Sequence, residues 1–150
     1  MSQSRNKIGV PQNEINSLFE LYSKGGYSEA LEKIQNINES YPNVPIIFNI
    51  AGACYKALGD LETSAKMFAN AVKIQPDYFE AYKKLGITLE NLNKHKASID
   101  NLLIAISINP SYFDKLDNKI IKLFAILFFV LLTYEPYLLA GYQEYLIFSS

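Results

Sequence analysis

The chain has 150 residues, enough for one compact domain or a short array of repeats. Fourteen basic residues against fifteen acidic ones leave a net charge of -1, so the charge balance gives no reason to bind nucleic acid. One cysteine excludes an internal disulfide framework and a multi-cysteine zinc site and suits a reducing compartment, and one histidine leaves little for a His-based metal or catalytic cluster.

Residues 1–10 are polar. They carry Arg5 and Lys7 with no apolar run behind them, which is not the pattern of a secretory signal, and they read as a flexible lead-in to a cytoplasmic body. Beyond them the helix-breaking residues set a rhythm. Pro42, Pro76 and Pro110 recur every 34 residues, and midway between them Gly25, Gly59 and Asn93 recur at the same interval. Glycine enters the left-handed region freely and asparagine is the next most tolerant residue, so these three sites predict tight turns that end helices. The prolines predict stops. Asn43, Asp77 and Ser111, each following a proline, read as N-caps, with Asp77–Glu80 and Ser111–Asp114 as capping boxes or close variants.

The spacing divides the chain into units 11–44, 45–78 and 79–112, each a helix, a turn and a second helix. The first unit is loosely patterned: Leu18, Leu21 and Tyr22, then Ala30, Leu31, Ile34 and Ile37. In the second, Phe48, Ala51, Gly52 and Tyr55 share a helical face, followed by Leu61, Ala65, Phe68, Ala71 and Val72. In the third the matching sets are Tyr82, Leu85, Gly86 and Leu89, then Ile99, Leu102, Ala105 and Ile106. Gly52 and Gly86 lie inside helices, where glycine costs about 1 kcal/mol against alanine, so a neighbour must need the space. Small Ser64, Ala71, Ser98 and Ala105 are the expected other side of that contact.

Residues 113–150 break the pattern. Tyr112, Leu116, Ile120 and Leu123 continue one helical face and predict a capping helix on the third unit. The stretch from Leu123 to Leu132 is apolar all round, and a helix of that kind needs burial in something. Pro136 stops it, and a tyrosine-rich apolar stretch follows to Phe148. Three readings stay open: packing on the repeats or in a homo-oligomer, a membrane contact through residues 120–148, and sequence that is not native coding. A span needs about 20 apolar residues, whereas the run from Leu123 to Tyr134 is shorter; Lys115, Lys119 and Lys122 ahead of it fit a span with the repeats in the cytoplasm.

The 34-residue units resemble tetratricopeptide repeats. The family pattern is an aromatic residue, Leu-Gly, Tyr, a small residue, an aromatic, an alanine and a proline. The second unit carries it as Phe48, Ala51-Gly52, Tyr55, Ser64, Phe68, Ala71 and Pro76, and the third as Tyr82, Leu85-Gly86, Leu89, Ser98, Leu102, Ala105 and Pro110. The first keeps Leu21, Ala30 and Pro42 but has Glu14 for the aromatic and Ser17-Leu18 for Leu-Gly, as suits a terminal repeat. The resemblance implies an all-α, right-handed superhelical solenoid of antiparallel helix pairs, with the apolar C-terminal helical segment added to it. It also implies a non-catalytic scaffold whose concave groove binds a peptide or helix of another protein. Carried over by register, the groove lining falls on Ile15, Phe19 and Tyr22, then Asn49, Ala53 and Lys56, then Lys83, Ile87 and Glu90. An apolar first third and a basic middle suit a segment with an aromatic or aliphatic anchor and an acidic neighbour.

Two specialised grooves of the family fit less well. The chaperone-binding clamp of lysines and asparagines corresponds here to Ile15, Phe19, Asn49 and Lys83, of which only the last two are compatible. The asparagine ladder corresponds to Asn16, Ile50 and Lys84, so it is missing. The register also resembles arrays that precede bacterial sulfotransferase or glycosyltransferase domains, which leaves a substrate-recruiting portion of such an enzyme, or a membrane-tethered assembly factor, as alternatives. No catalytic residue, cofactor or metal is expected. His95 has no oriented partner in the pattern, Cys54 reads as a small buried hydrophobe, and there is no phosphate loop or dinucleotide fingerprint.

Overall fold

A computed structural model describes residues 9–115. Six helices follow in chain order: α1 (Gln12–Ser23), α2 (Tyr27–Ser40), α3 (Pro45–Ala57), α4 (Leu61–Ile74), α5 (Phe79–Asn91) and α6 (His95–Ile108), and a 3-10 turn spans Pro110–Lys115. No strand occurs among the described residues. Residues up to Pro110 form one compact unit, and a second begins at Ser111. The three readings of the apolar C-terminal stretch, and the capping helix expected before it, fall outside the described residues or beyond the first unit.

Three turns pair the helices as the breakers predict. Gly25, Gly59 and Asn93 take positive φ of 78°, 85° and 58°. Around each, the same two bonds close the preceding helix. The Gly25 amide donates to the Tyr22 carbonyl at 3.1 Å and Gly26 to Leu21 at 2.9 Å; Gly59 and Asp60 bond Lys56 and Tyr55 at 3.1 and 3.0 Å; Asn93 and Lys94 bond Glu90 and Leu89, both at 2.9 Å. These are the six-to-one and five-to-two bonds by which a left-handed residue satisfies the last carbonyls of a helix. Each helix packs on its neighbours in sequence, and α1 also reaches α3.

The junctions between units differ from the expectation at their starts. The prolines do sit two residues past the ends of α2, α4 and α6. Yet α3 begins at Pro45 and α5 at Phe79, so the N-caps are Val44 and Tyr78, neither with a side-chain cap. Asn43 adopts φ 61°, and the Asp77 carbonyl accepts from the Phe79 amide at 2.9 Å. Two residues of linker separate the proline from the helix, because the chain must turn before it can re-enter. Among the described helices the side-chain cap lies at Asp60, whose Oδ1 accepts from the Thr63 amide at 3.0 Å at the head of α4.

Packing follows the repeat to the atom. A Cβ on Gly52 would stand 2.7 Å from Phe68 Cε1, and one on Gly86 2.6 Å from Leu102 Cγ. Phe68 and Leu102 are both fully buried. The Ser64 and Ser98 hydroxyls donate to the carbonyls of Gly52 and Gly86, each at 2.8 Å. The expected small-residue contact is thus a large side chain seated on a bare backbone, with the serine hydroxyl fastening the other edge. In the first unit Leu18, Ala30 and Ile34 occupy the same three positions, all buried, so bulk has moved from the second helix to the first. Helix α3 is buried on more sides than one amphipathic face provides, at Ile47, Asn49, Ile50, Ala51, Gly52 and Cys54, because α1, α2 and α4 all contact it.

Candidate functional site

A cleft of about 540 Å³ opens where α1, α3 and α5 come together. Its wall from α1 is Phe19 and Tyr22, with 51% and 37% of their surfaces exposed. Helix α3 supplies Asn49, Ile50, Ala53, Lys56 and Ala57, α4 contributes Phe68, and α5 brings Lys84. The helical period explains the set. Positions 49, 50, 53, 56 and 57 of α3 are spaced by three and four and share one face. Tyr22 is steadied from outside by Tyr27, their rings meeting edge to face at 5.3 Å.

The cleft is apolar with two cations in it. The Lys84 ammonium stands 5.9 Å from the centroid of the Phe68 ring. Burial pushes the Lys84 amine below the usual lysine range; Glu80 opposes that, and the charges of Lys83 and Lys56 add to it. Burial also lowers Lys56. Among the described residues no carboxylate lies within ion-pair distance of either, whereas Lys24, Lys33, Lys83 and Lys94 each hold a glutamate at 2.6 to 3.0 Å. Asn49 completes the lining. Its Nδ2 donates to the Tyr78 hydroxyl at 3.1 Å, and its buried Oδ1 has no partner. Burial raises the Tyr78 phenol, and the Asn49 bond works the other way.

Of the nine residues the register places in the groove, the cleft brings together Phe19, Tyr22, Asn49, Ala53 and Lys56. The other four lie outside its lining. Ile15 is in the core with Leu18, Ala30 and Ile34. Lys83 is held by Glu80 at 2.7 Å and lies 5.2 Å from the Phe79 ring centroid, and Ile87 is half-buried. Glu90 is buried and its Oε2 lies 2.9 Å from His95 Nδ1. The register carries over one position more cleanly than the nine residues suggest. Lys84 stands 34 residues after Ile50 and both line the cleft, while Lys83, 34 after Asn49, does not. Ala57 and Phe68 are absent from the expected lining, and Ile50 and Lys84 enter it only as equivalents of the asparagine ladder. The signal that finds Ile50 and Lys84 is their shared repeat position.

His95 is therefore partnered, by Glu90. Cys54 is fully buried, and burial raises its thiol, which works against a reactive thiolate. Among the described residues no group of three or more His, Cys, Asp or Glu side chains is placed to hold a metal ion, and no helix is long and apolar enough to cross a membrane.

Three helix-turn-helix units of one period, all closed by the same turn and the second and third packed by the same glycine contact, define the tetratricopeptide-repeat fold, and this chain has it. No family model matches the chain. The small glutamine-rich tetratricopeptide repeat-containing protein 2 of Mycosarcoma maydis is 25% identical over 85 residues, which is 57% of this chain and 24% of the relative. The chain thus spans about a quarter of that relative's length. Among solved structures, the first tetratricopeptide domain of Spaghetti (RPAP3), bound to the HSP90 peptide SRMEEVD, superposes with a TM-score of 0.68 at 19% identity, over 80% of this chain and 98% of that one. The Sgt2 tetratricopeptide domain of Aspergillus fumigatus gives 0.65 at 20% identity, over 71% and 72%.

Proposed function

We propose that the chain is a non-catalytic interaction scaffold whose α1–α3–α5 cleft takes a short segment of another protein. The observation that carries this reading is the pair of unpartnered cations, Lys56 and Lys84, set among apolar walls with Phe19 and Tyr22 exposed beside them. A half-buried ammonium without a counter-ion is poorly solvated, and an incoming carboxylate relieves it in a medium where water screens weakly. The exposed rings offer the second element, a place for an aliphatic or aromatic side chain to leave water. The ligand is then an apolar anchor with an acidic group a few ångströms away. The similar RPAP3 domain was solved with an acidic peptide, which supports the same class of ligand.

Fluorescence anisotropy with synthetic heptapeptides tests this, using one series that varies the anchor among Leu, Met and Phe and a second that replaces each acidic residue by its amide. Acidic members should bind with an affinity that falls as salt rises. Tyr22→Ala and Lys84→Ala should each weaken binding about tenfold, the usual cost of removing one buried contact of about 1.4 kcal/mol. Equal binding of acid and amide series, or variants that bind like the wild type, would overturn the assignment of the cleft.

A further inference from the structure

Six lysines of the described residues form two contrasting chemical groups, with Lys66, Lys73 and Lys96 belonging to neither. Lys24, Lys33, Lys83 and Lys94 are each held by a glutamate carboxylate, Lys94 by both oxygens of Glu62 at 3.0 Å. A carboxylate partner favours the ammonium and removes the nucleophilic lone pair. Lys24 shows this directly, its amine raised first by the hydrogen bond to Glu20. Lys56 and Lys84 have the opposite setting. Both are half-buried, both line one apolar cleft, neither has a carboxylate at ion-pair distance, and the Lys56 charge bears on Lys84. Desolvation and a neighbouring cation are the two devices that free a lysine amine for nucleophilic chemistry near neutral pH. The cleft also gives a small reagent a way in.

We propose that Lys56 and Lys84 are acylation sites, reacting with activated acyl donors of the acyl phosphate class ahead of the carboxylate-paired lysines. The ammonium first loses a proton to solvent. The nitrogen lone pair then attacks the acyl carbon, an N–C bond forms, the C–O bond to phosphate breaks, phosphate leaves with its electron pair, and the second nitrogen proton passes to buffer. The product is a neutral amide where a cation stood. Two charges are thereby removable from the cleft without any change of sequence. This reactivity follows from the amines' surroundings and does not depend on what the cleft binds.

The test is acetyl phosphate at limiting concentration on the whole chain at pH 7.5, followed by proteolysis and site-by-site quantitation by mass spectrometry. Lys56 and Lys84 should acetylate on the order of three- to tenfold faster than Lys24, Lys33, Lys83 and Lys94, since a tenfold gain in free amine accompanies each unit by which a pKa falls. Lys56→Met should slow Lys84, by removing the like charge that presses on its ammonium. In 6 M guanidinium chloride the preference should vanish, because the folded surroundings create it. Equal rates in the folded chain overturn the proposal, and so does a preference that survives denaturation.

Discussion

Gly52 and Gly86 are decided by less than an ångström. Each lies within a helix where alanine would gain about 1 kcal/mol of propensity, but each would set its new methyl carbon within 2.8 Å of two atoms of a fully buried side chain. Phe68 cannot swing clear of Gly52, since it is seated between α3 and α5 in the second core cluster. Overpacking of this kind costs about 1–3 kcal/mol and outweighs the helical gain. Gly52→Ala should therefore lower stability by about 1–2 kcal/mol in a urea titration. Pairing it with Phe68→Ile should recover part of that loss, because the first unit already carries the large-then-smaller arrangement, as Leu18 facing Ile34. A fully additive double variant would show that the two residues do not share one space. This contact was half legible in the sequence. A glycine inside a strong helical pattern announces that something comes close, but not whether it is backbone, an alanine or a ring. The reading favoured small residues, and the two alanines named with the serines are not among the nearest atoms.

Helix by helix, the ends were more legible than the beginnings. A residue forced to positive φ leaves a mark on composition, as at Gly25, Gly59 and Asn93, whereas a helix start can be made from almost any residue when water satisfies the free amides. Hence Asp77 looked like a cap and is not one, and Asp60, which is, went unnamed. Helix α6 shows a second limit. Leu102 is buried and Leu103 and Ile104 are exposed, at positions held by exposed Gln35 and Asn36 in α2 and exposed Ala69 and Asn70 in α4. A face that is apolar on both sides gives periodicity little contrast to read. The Asp60 cap has a consequence for pH. The Thr63 amide bond holds its carboxyl below the usual range, so its folded pKa is depressed relative to the unfolded chain. The stability it supplies is present above the ordinary carboxylate range and is lost as pH falls through the folded value. Asp60→Asn keeps the acceptor and removes the charge, so its thermal midpoint should fall less than the wild type's on acidification. Asp60→Ala should be the less stable of the two at pH 7. Parallel acid limbs for wild type and Asp60→Asn would assign the acid sensitivity elsewhere.

Across the whole unit, the proposed recognition by the cleft would come at a cost to stability. The repeats bury glycine backbones, serine hydroxyls and aliphatic rows to close tolerances, yet two lysines are left half-buried without carboxylate partners. For an amine whose folded pKa is lowered, the unfolded chain holds more protons than the folded one at high pH, so stability rises as pH climbs through the folded value toward the unfolded one. Below that window the fold carries an unrelieved charge. Lys84→Met keeps the aliphatic stem against Phe68 and removes the charge, and replacing an unpaired half-buried cation by an isosteric apolar side chain is the kind of change that stabilises. The variant should gain about 0.5–1 kcal/mol at pH 7, with the gain shrinking at alkaline pH, while losing affinity for acidic heptapeptides. Both halves are needed. A variant that is stabilised but binds unchanged would mean that Lys84 is a packing residue, and one that loses binding with lower stability would mean that the ring contact at 5.9 Å, rather than the desolvated charge, governs the site.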